Sequence, residues 1–155
     1  MTIPRFSPLI GLLLLAPVAQ AGGTVYADAN LASGLNNGSS WANAFQGSDG
    51  LRQAIAASSS GDEVFAAQGT YEPTTSAVRT LSFSLKNGVT IYGGFLGGEA
   101  SVLERPAIGT APSIMSGDLS GNDGSNLFND NSIHVINAAG TNATAIIDGF
   151  TVRGG

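Results

Sequence analysis

Beyond residue 22 the chain is written in short apolar runs divided by Gly, Asn and Ser, and one stretch repeats its apolar positions at helical spacing. Leu51, Ala54, Ile55 and Ser58 share a face of a helix predicted over residues 49–58. Ser48 or Asp49 serves as its cap, and Ser59-Ser60-Gly61 stops it. Elsewhere the pattern is that of strands. Residues 24–27, 63–67, 81–85, 89–92, 113–116, 134–136, 145–147 and 150–152 read as short strands rich in Val, Ile, Phe and Thr. Asn37-Gly38 and Lys86-Asn87-Gly88 supply turns that favour positive φ. Trp41 and Phe45, four apart, read as one helical face that plugs the interior.

Val64, Val89 and Ile114 open three of these runs at equal intervals of 25 residues. Such a period suggests coils stacked at one strand spacing. Hairpins of a sandwich are the alternative, but they predict turns every eight to twelve residues or so and no loop as long as Gly97 to Pro112. A single amphipathic helix ahead of a stack has a structural purpose. It covers the apolar end that would otherwise face water or pair with a neighbour's edge.

The first 21 residues follow another logic. Arg5 precedes an apolar run from Leu9 to Ala16, and Ala19-Gln20-Ala21 offers the small side chains that a signal peptidase requires. Pro4, Pro8 and Pro17 break the run, which is too short for a membrane span. The chain contains no cysteine, which excludes a lipoprotein anchor and disulfides. These features predict a signal peptide at 1–21, an N-terminal cap at 22–60 and the first coils of a stack at 61–155, in a protein that is secreted or held at the cell surface.

Six basic against eleven acidic side chains give a formal net charge of −5, which becomes more negative when Arg5 leaves with the leader. The basic residues are scattered, so neither a phosphate backbone nor an anionic bilayer is a fitting partner. No transmembrane segment is predicted.

The segments Trp41–Phe45, Gly61–Tyr71, Lys86–Phe95, Ser116-Gly117-Asp118 and Asp148–Gly155 resemble the N-terminal region of bacterial right-handed parallel β-helix repeat proteins, of the pectin-lyase-like group. The resemblance covers residues 24–155. It implies an all-β fold, a right-handed parallel β-helix (solenoid) with an N-terminal capping helix, truncated at the C-terminus and continued by further β-helix coils in the intact protein. It also implies an exported scaffold or adhesin-like module, without catalysis in this chain, that touches glycans or other surface proteins. The alternative it leaves open is the cap region of a polysaccharide-active lyase or hydrolase whose catalytic coils lie beyond Gly155.

Candidate chemistry is sparse. Asp118, Asn122, Asp123 and Asp130 place oxygen donors on a Gly-rich turn, a pattern that suits calcium but lacks the positions of an EF-hand loop. No other cofactor is predicted. His134, the lone histidine, is too little for a zinc site. Asp62 and Glu63 are adjacent and so point to opposite sides of a strand, unlike a glycosidase pair. A triad of Asp148, His134 and a serine lacks any nucleophile motif. Gly93-Gly94-Phe95-Leu96-Gly97-Gly98 misses dinucleotide spacing and is expected to form tight corners.

Overall fold

A computed structural model of the chain describes residues 22–155; the predicted leader lies outside them. One helix, α1 (Gly50–Ala57), and ten short strands make up its regular structure. The strands are β1 (Thr24–Asp28), β2 (Phe45–Gln46), β3 (Glu63–Ala67), β4 (Gly69–Tyr71), β5 (Phe83–Ser84), β6 (Thr90–Phe95), β7 (Ser113–Ser116), β8 (Ile136–Asn137), β9 (Ile146–Asp148) and β10 (Phe150–Arg153).

All pairings are parallel and fall into three sheets, ordered β2-β1-β3-β6-β9, β4-β7-β10 and β5-β8. From β3 onward the chain visits the five-stranded, three-stranded and two-stranded sheets in that cyclic order, then begins again. Parallel neighbours need a long crossover, and from β3 onward each crossover runs through the other two sheets, whereas β1, β2 and β3 of one sheet are joined by a loop and by α1. This β-rich, repeat-like architecture is the one the strand pattern predicts. The equal spacing of Val64, Val89 and Ile114 proves coincidental. Val64 lies against Ile91 rather than Val89, and Ile114 belongs to a different sheet, opposite Thr70.

Register aligns like residues from rung to rung. Val25, Val64, Ile91 and Ile147 form one apolar row, and Tyr71, Met115 and Val152 form another. With Phe83, Val89 and Val135 these rows, apart from the half-exposed Val152, build the inner core. Tyr71 is wholly buried, and its hydroxyl donates to main-chain oxygens of Ala67 (2.8 Å) or Ala27 (3.1 Å). Burial drives its pKa strongly upward, against the hydrogen bond from the Ala29 amide and with a small push from Asp28, so it stays a neutral donor.

The glycines at 93 and 94 do not turn a corner as expected; they bulge β6 from within. The register slips between Phe65↔Tyr92 and Ala67↔Phe95, and Gly94 takes φ +90°. The extra residue sends Phe95 to the same side as Tyr92, where its ring stacks on Phe65 at 4.4 Å and 18°. The Gly94 amide freed by the bulge donates to the buried Ser113 hydroxyl (2.9 Å). At Gly93 an added Cβ would meet Gly149 O at 2.8 Å and Ser113 Cβ at 2.9 Å, so a side chain there has no room.

Helix α1 covers the end of the stack formed by β1, β2 and β5. Its predicted face is buried: Leu51, Ala54, Ile55 and Ser58. Asp49 occupies the N-cap without a side-chain capping bond; its carboxylate accepts instead from Arg52 (3.1 Å) and Gln53 (3.0 Å). At the other end Lys86 donates to the carbonyls of Ala56 (2.6 Å) and Ser58 (2.8 Å), a cation placed where the helix dipole is negative. Trp41 and Phe45 do not share a face. Trp41 sits in a 3-10 turn and meets Tyr26, whereas Phe45 in β2 packs on the inner core.

Phe65 is packed on both sides of the bulge, so Phe65→Ala is expected to cost about 3–5 kcal/mol in urea unfolding. Leu103→Ala, at a side chain that is 92% exposed, is expected to change stability by less than about 0.5 kcal/mol.

Candidate functional site

Two surfaces of the stack carry chemistry. The first is the outer face of the five-stranded sheet. Side chains alternate across a strand, so Tyr26, Phe65 and Tyr92, in register on successive rungs, point away from the inner core. Trp41 meets Tyr26 edge-on at 4.8 Å and tilts against Phe95 at 5.6 Å. Its indole N–H donates to the Glu99 carbonyl (2.8 Å), which fastens the loop after β6 over this aromatic row.

The row ends on a charge. Arg105 lies over the Tyr92 ring at 5.5 Å and donates to Gly93 O (3.0 Å) and the Asp148 carboxylate (3.2 Å). Beside it, a recess of about 210 Å³ opens between the loop at 105–112 and the start of β10. Phe150, Ile108 and Pro106 supply apolar walls, and Arg105 and Ser113 supply polar ones. Both terminal nitrogens of Arg105 are engaged, and Asp148 neutralises its charge. The recess therefore suits a small neutral group with an apolar face better than an anion. A wider depression of about 300 Å³, between α1 and β5, is lined by Arg52, Ile55 and Lys86.

The second surface is the loop between β7 and β8, where the predicted calcium donors lie. Asp118 does not hold out a free carboxylate. It accepts the amides of Asn122 (3.0 Å) and Asp123 (3.1 Å) and closes the turn upon itself. Burial disfavours its charge, but the amides of Asn122, Asp123, Gly121 and Ser120 outweigh burial and hold its pKa below the usual carboxylate range. Asp123 lies close to Asn131, whose amide approaches its carboxylate at 3.4 Å. Among the described residues, no three His, Cys, Asp or Glu side chains converge.

Other acidic residues repeat the Asp118 device. Glu99 accepts the amides of Leu96 (2.7 Å), Gly97 (3.0 Å) and Gly98 (2.9 Å). Burial again opposes its ionisation, and the amides of residues 96–99 prevail, so its pKa is lowered. Asp62 accepts from Gly23 (2.8 Å) and Ser59 (2.7 Å), which settles its structural use, while Glu63 enters β3. Glu72 shifts the other way: burial raises its pKa, a hydrogen bond with Ser48 resists, and the charge of Asp118 adds to the rise.

His134 is exposed and makes no side-chain hydrogen bond among the described residues, and Asp148 is taken by Arg105, so the triad has no assembled pair. Sequence reasoning passed over Arg105, Phe150 and Asn131. Arg105 could be placed only through Asp148, which the sheet register brings alongside from β9. Comparison with family models, curated proteins and solved structures finds no match to this chain.

The lowered pKa values fix a pH response. A carboxylate whose folded pKa lies below its unfolded value stabilises the fold above that unfolded value, about 4 for these side chains. The contribution is lost as pH falls through the folded pKa. Asp118→Asn and Glu99→Gln are therefore expected to lower Tm at neutral pH and to flatten its fall between about pH 5 and pH 2. Thermal unfolding followed by circular dichroism across that range checks both.

Proposed function

We propose that the three parallel sheets are the lateral faces of a right-handed parallel β-helix, and that the chain is an exported scaffold or adhesin-like module displayed at the cell surface or secreted. The observation that carries this reading is the cyclic passage of the chain through the same three sheets, with α1 across one end. A stack of this kind gains stability by neighbour-to-neighbour contact and presents long lateral surfaces for binding. The leader pattern at 1–21 supports export. No helix among the described residues is long and apolar enough to cross a membrane.

At the other end, β9 and β10 are edge strands, and Ile146 and Val152 are about half exposed there. Parallel strands added at either edge would cover them. The partner chemistry that fits the outer face is a glycan or another surface protein. A sugar ring has the size and the mixed polarity of the recess walled by Phe150 and Arg105. In the polysaccharide-cleaving alternative the acid and base stand on coils beyond Gly155, and this chain serves only as their cap. Asp148, the carboxylate beside the recess, is paired with Arg105.

Fusion ahead of a phosphatase that is active only after export is expected to give enzyme activity in a bacterial host, with a processed product that begins at Gly22. An unprocessed product retained in the cytoplasm would overturn the export reading. Incubation with polygalacturonate is expected to release no unsaturated sugar; release that is lost in Arg105→Ala would overturn the reading of this chain as non-catalytic.

A further inference from the structure

Six buried side-chain polar atoms lack a hydrogen-bond partner among the described residues. Arg52 Nε on α1 is one; the other five are all oxygens of the loop between β7 and β8. They are Asn122 Oδ1, Asp123 Oδ1, Asp130 Oδ2, Asn131 Oδ1 and Ser132 Oγ. Buried polar atoms of native proteins are nearly always satisfied, so a concentration of five in eleven residues of sequence asks for a common cause.

The loop folds so that its two arms meet. Gly117 donates to Arg153 O (2.9 Å) and Ser132 donates to Gly117 O (2.7 Å), which brings the returning arm back to the outgoing one. Asn131 then directs its side-chain amide at Asp123, 3.4 Å away. Asn131 is 7% exposed and Ser132 1% exposed, so both side chains are more than nine-tenths buried. Gly154, just past β10, closes the arrangement: a Cβ there would come within 3.1 Å of Asp123 Oδ2 and 2.8 Å of the Asp118 amide.

Carboxylate and amide oxygens only accept, and Ser132 has a single proton to give. A water molecule brings two protons and no charge, which leaves two buried carboxylate oxygens poorly compensated. The nearby cations do not supply the deficit. Arg79 donates to the main-chain oxygen of Asn131, the side chain of Arg153 is exposed, and His134 is exposed. Neither Asp123 nor Asp130 has an ion pair among the described residues.

We propose that the 122–132 loop binds one calcium ion between its arms, through Asp123, Asn131 and Ser132 with Asn122 and Asp130 completing the shell. The set is all oxygen and mixed in charge, as a hard cation requires, and its irregular spacing suits the adaptable shell of calcium better than the strict octahedron of magnesium. Asp118, the first donor suggested by the sequence, clamps the turn through the amides of Asn122 and Asp123 and is left out of the proposed shell. With two carboxylates rather than three or four, the affinity belongs in the weak range of extracellular modules, about 10⁻⁴ to 10⁻³ M. The inference is independent of the proposed function.

Calorimetric titration of the purified chain with calcium chloride, after removal of metal by chelator, tests it. One site is expected, with a dissociation constant near 10⁻⁴ to 10⁻³ M and a calcium-dependent rise in Tm. Asp123→Asn and Asp130→Asn are each expected to weaken binding at least tenfold, and Glu104→Gln, on the loop after β6, to leave it unchanged. Asn131→Ala serves as a third variant if either carboxylate change prevents folding. Absence of calcium heat in the wild-type chain, unaltered binding in the loop variants, or a response to magnesium alone would overturn the proposal.

Discussion

The parallel main-chain ladder is the constraint on which everything else rests. With no cysteine and only 11% charged residues, the chain has neither disulfides nor extensive ion pairing to hold it. Each inner row of side chains exists because one strand lies beside the last in fixed register, so that valine meets isoleucine and tyrosine meets methionine. A slip of one residue would exchange the inner and outer faces of a strand. The Gly93-Gly94 bulge is such a slip, confined to one strand and put to use. It transfers Phe95 from the inner side to the outer, and the aromatic row beneath Trp41 depends on that transfer.

A ladder of this kind is indifferent to the length of chain between its rungs. That indifference explains why the strands were legible in sequence and their stacking was not. The β-branched and aromatic runs at 63–67 and 89–92 mark β3 and the first part of β6, whereas 81–85, where alternation is cleanest, pairs only at Phe83–Ser84. The interval between Val89 and Ile114 carries no such meaning, since a loop of any length can intervene before the chain rejoins the stack. The helix was legible for the opposite reason: the face of Leu51, Ala54 and Ile55 is a local pattern, fixed within two turns. Its capping was misread in detail because Asp49 has side-chain partners in Arg52 and Gln53, and because the Lys86 that closes the C-terminus arrives from the turn after β5.

The acidic residues show how far side-chain identity alone falls short of chemistry. Asp62, Glu99 and Asp118 each look available in the sequence, yet each accepts two or more main-chain amides at a place where the backbone changes direction. Loops on the surface of a stack leave amides that no strand can satisfy, and a carboxylate is the acceptor best matched to several donors at once. The oxygens that remain without partners lie elsewhere, in Asp123, Asp130 and their amide and hydroxyl neighbours. Nothing in sequence separates Asp118 from Asp123, five residues apart in one turn; only the direction of their hydrogen bonds does.

Both chemical surfaces draw residues from outside the repeating element, from the long excursions after β6 and after β7. Arg105 comes from the first excursion and finds Asp148 on a strand that joins the sheet much later in the chain. Asp123 and Asn131 come from the second, and Gly154 seals them from just beyond β10. Neither arrangement exists until the next rung has been laid down. Recognition in such a molecule is therefore coupled to assembly of the stack: a change that weakens the pairing of β6 with β9, or of β7 with β10, disturbs the excursion that leans on it before it disturbs the core. The two faces differ in what they offer, an apolar recess with a neutralised charge on one and a cluster of acceptor oxygens on the other. They share a dependence on register: Asp148 reaches Arg105 from β9, and Gly154, just past β10, packs against Asp118 and Asp123 through the pairing of β10 with β7.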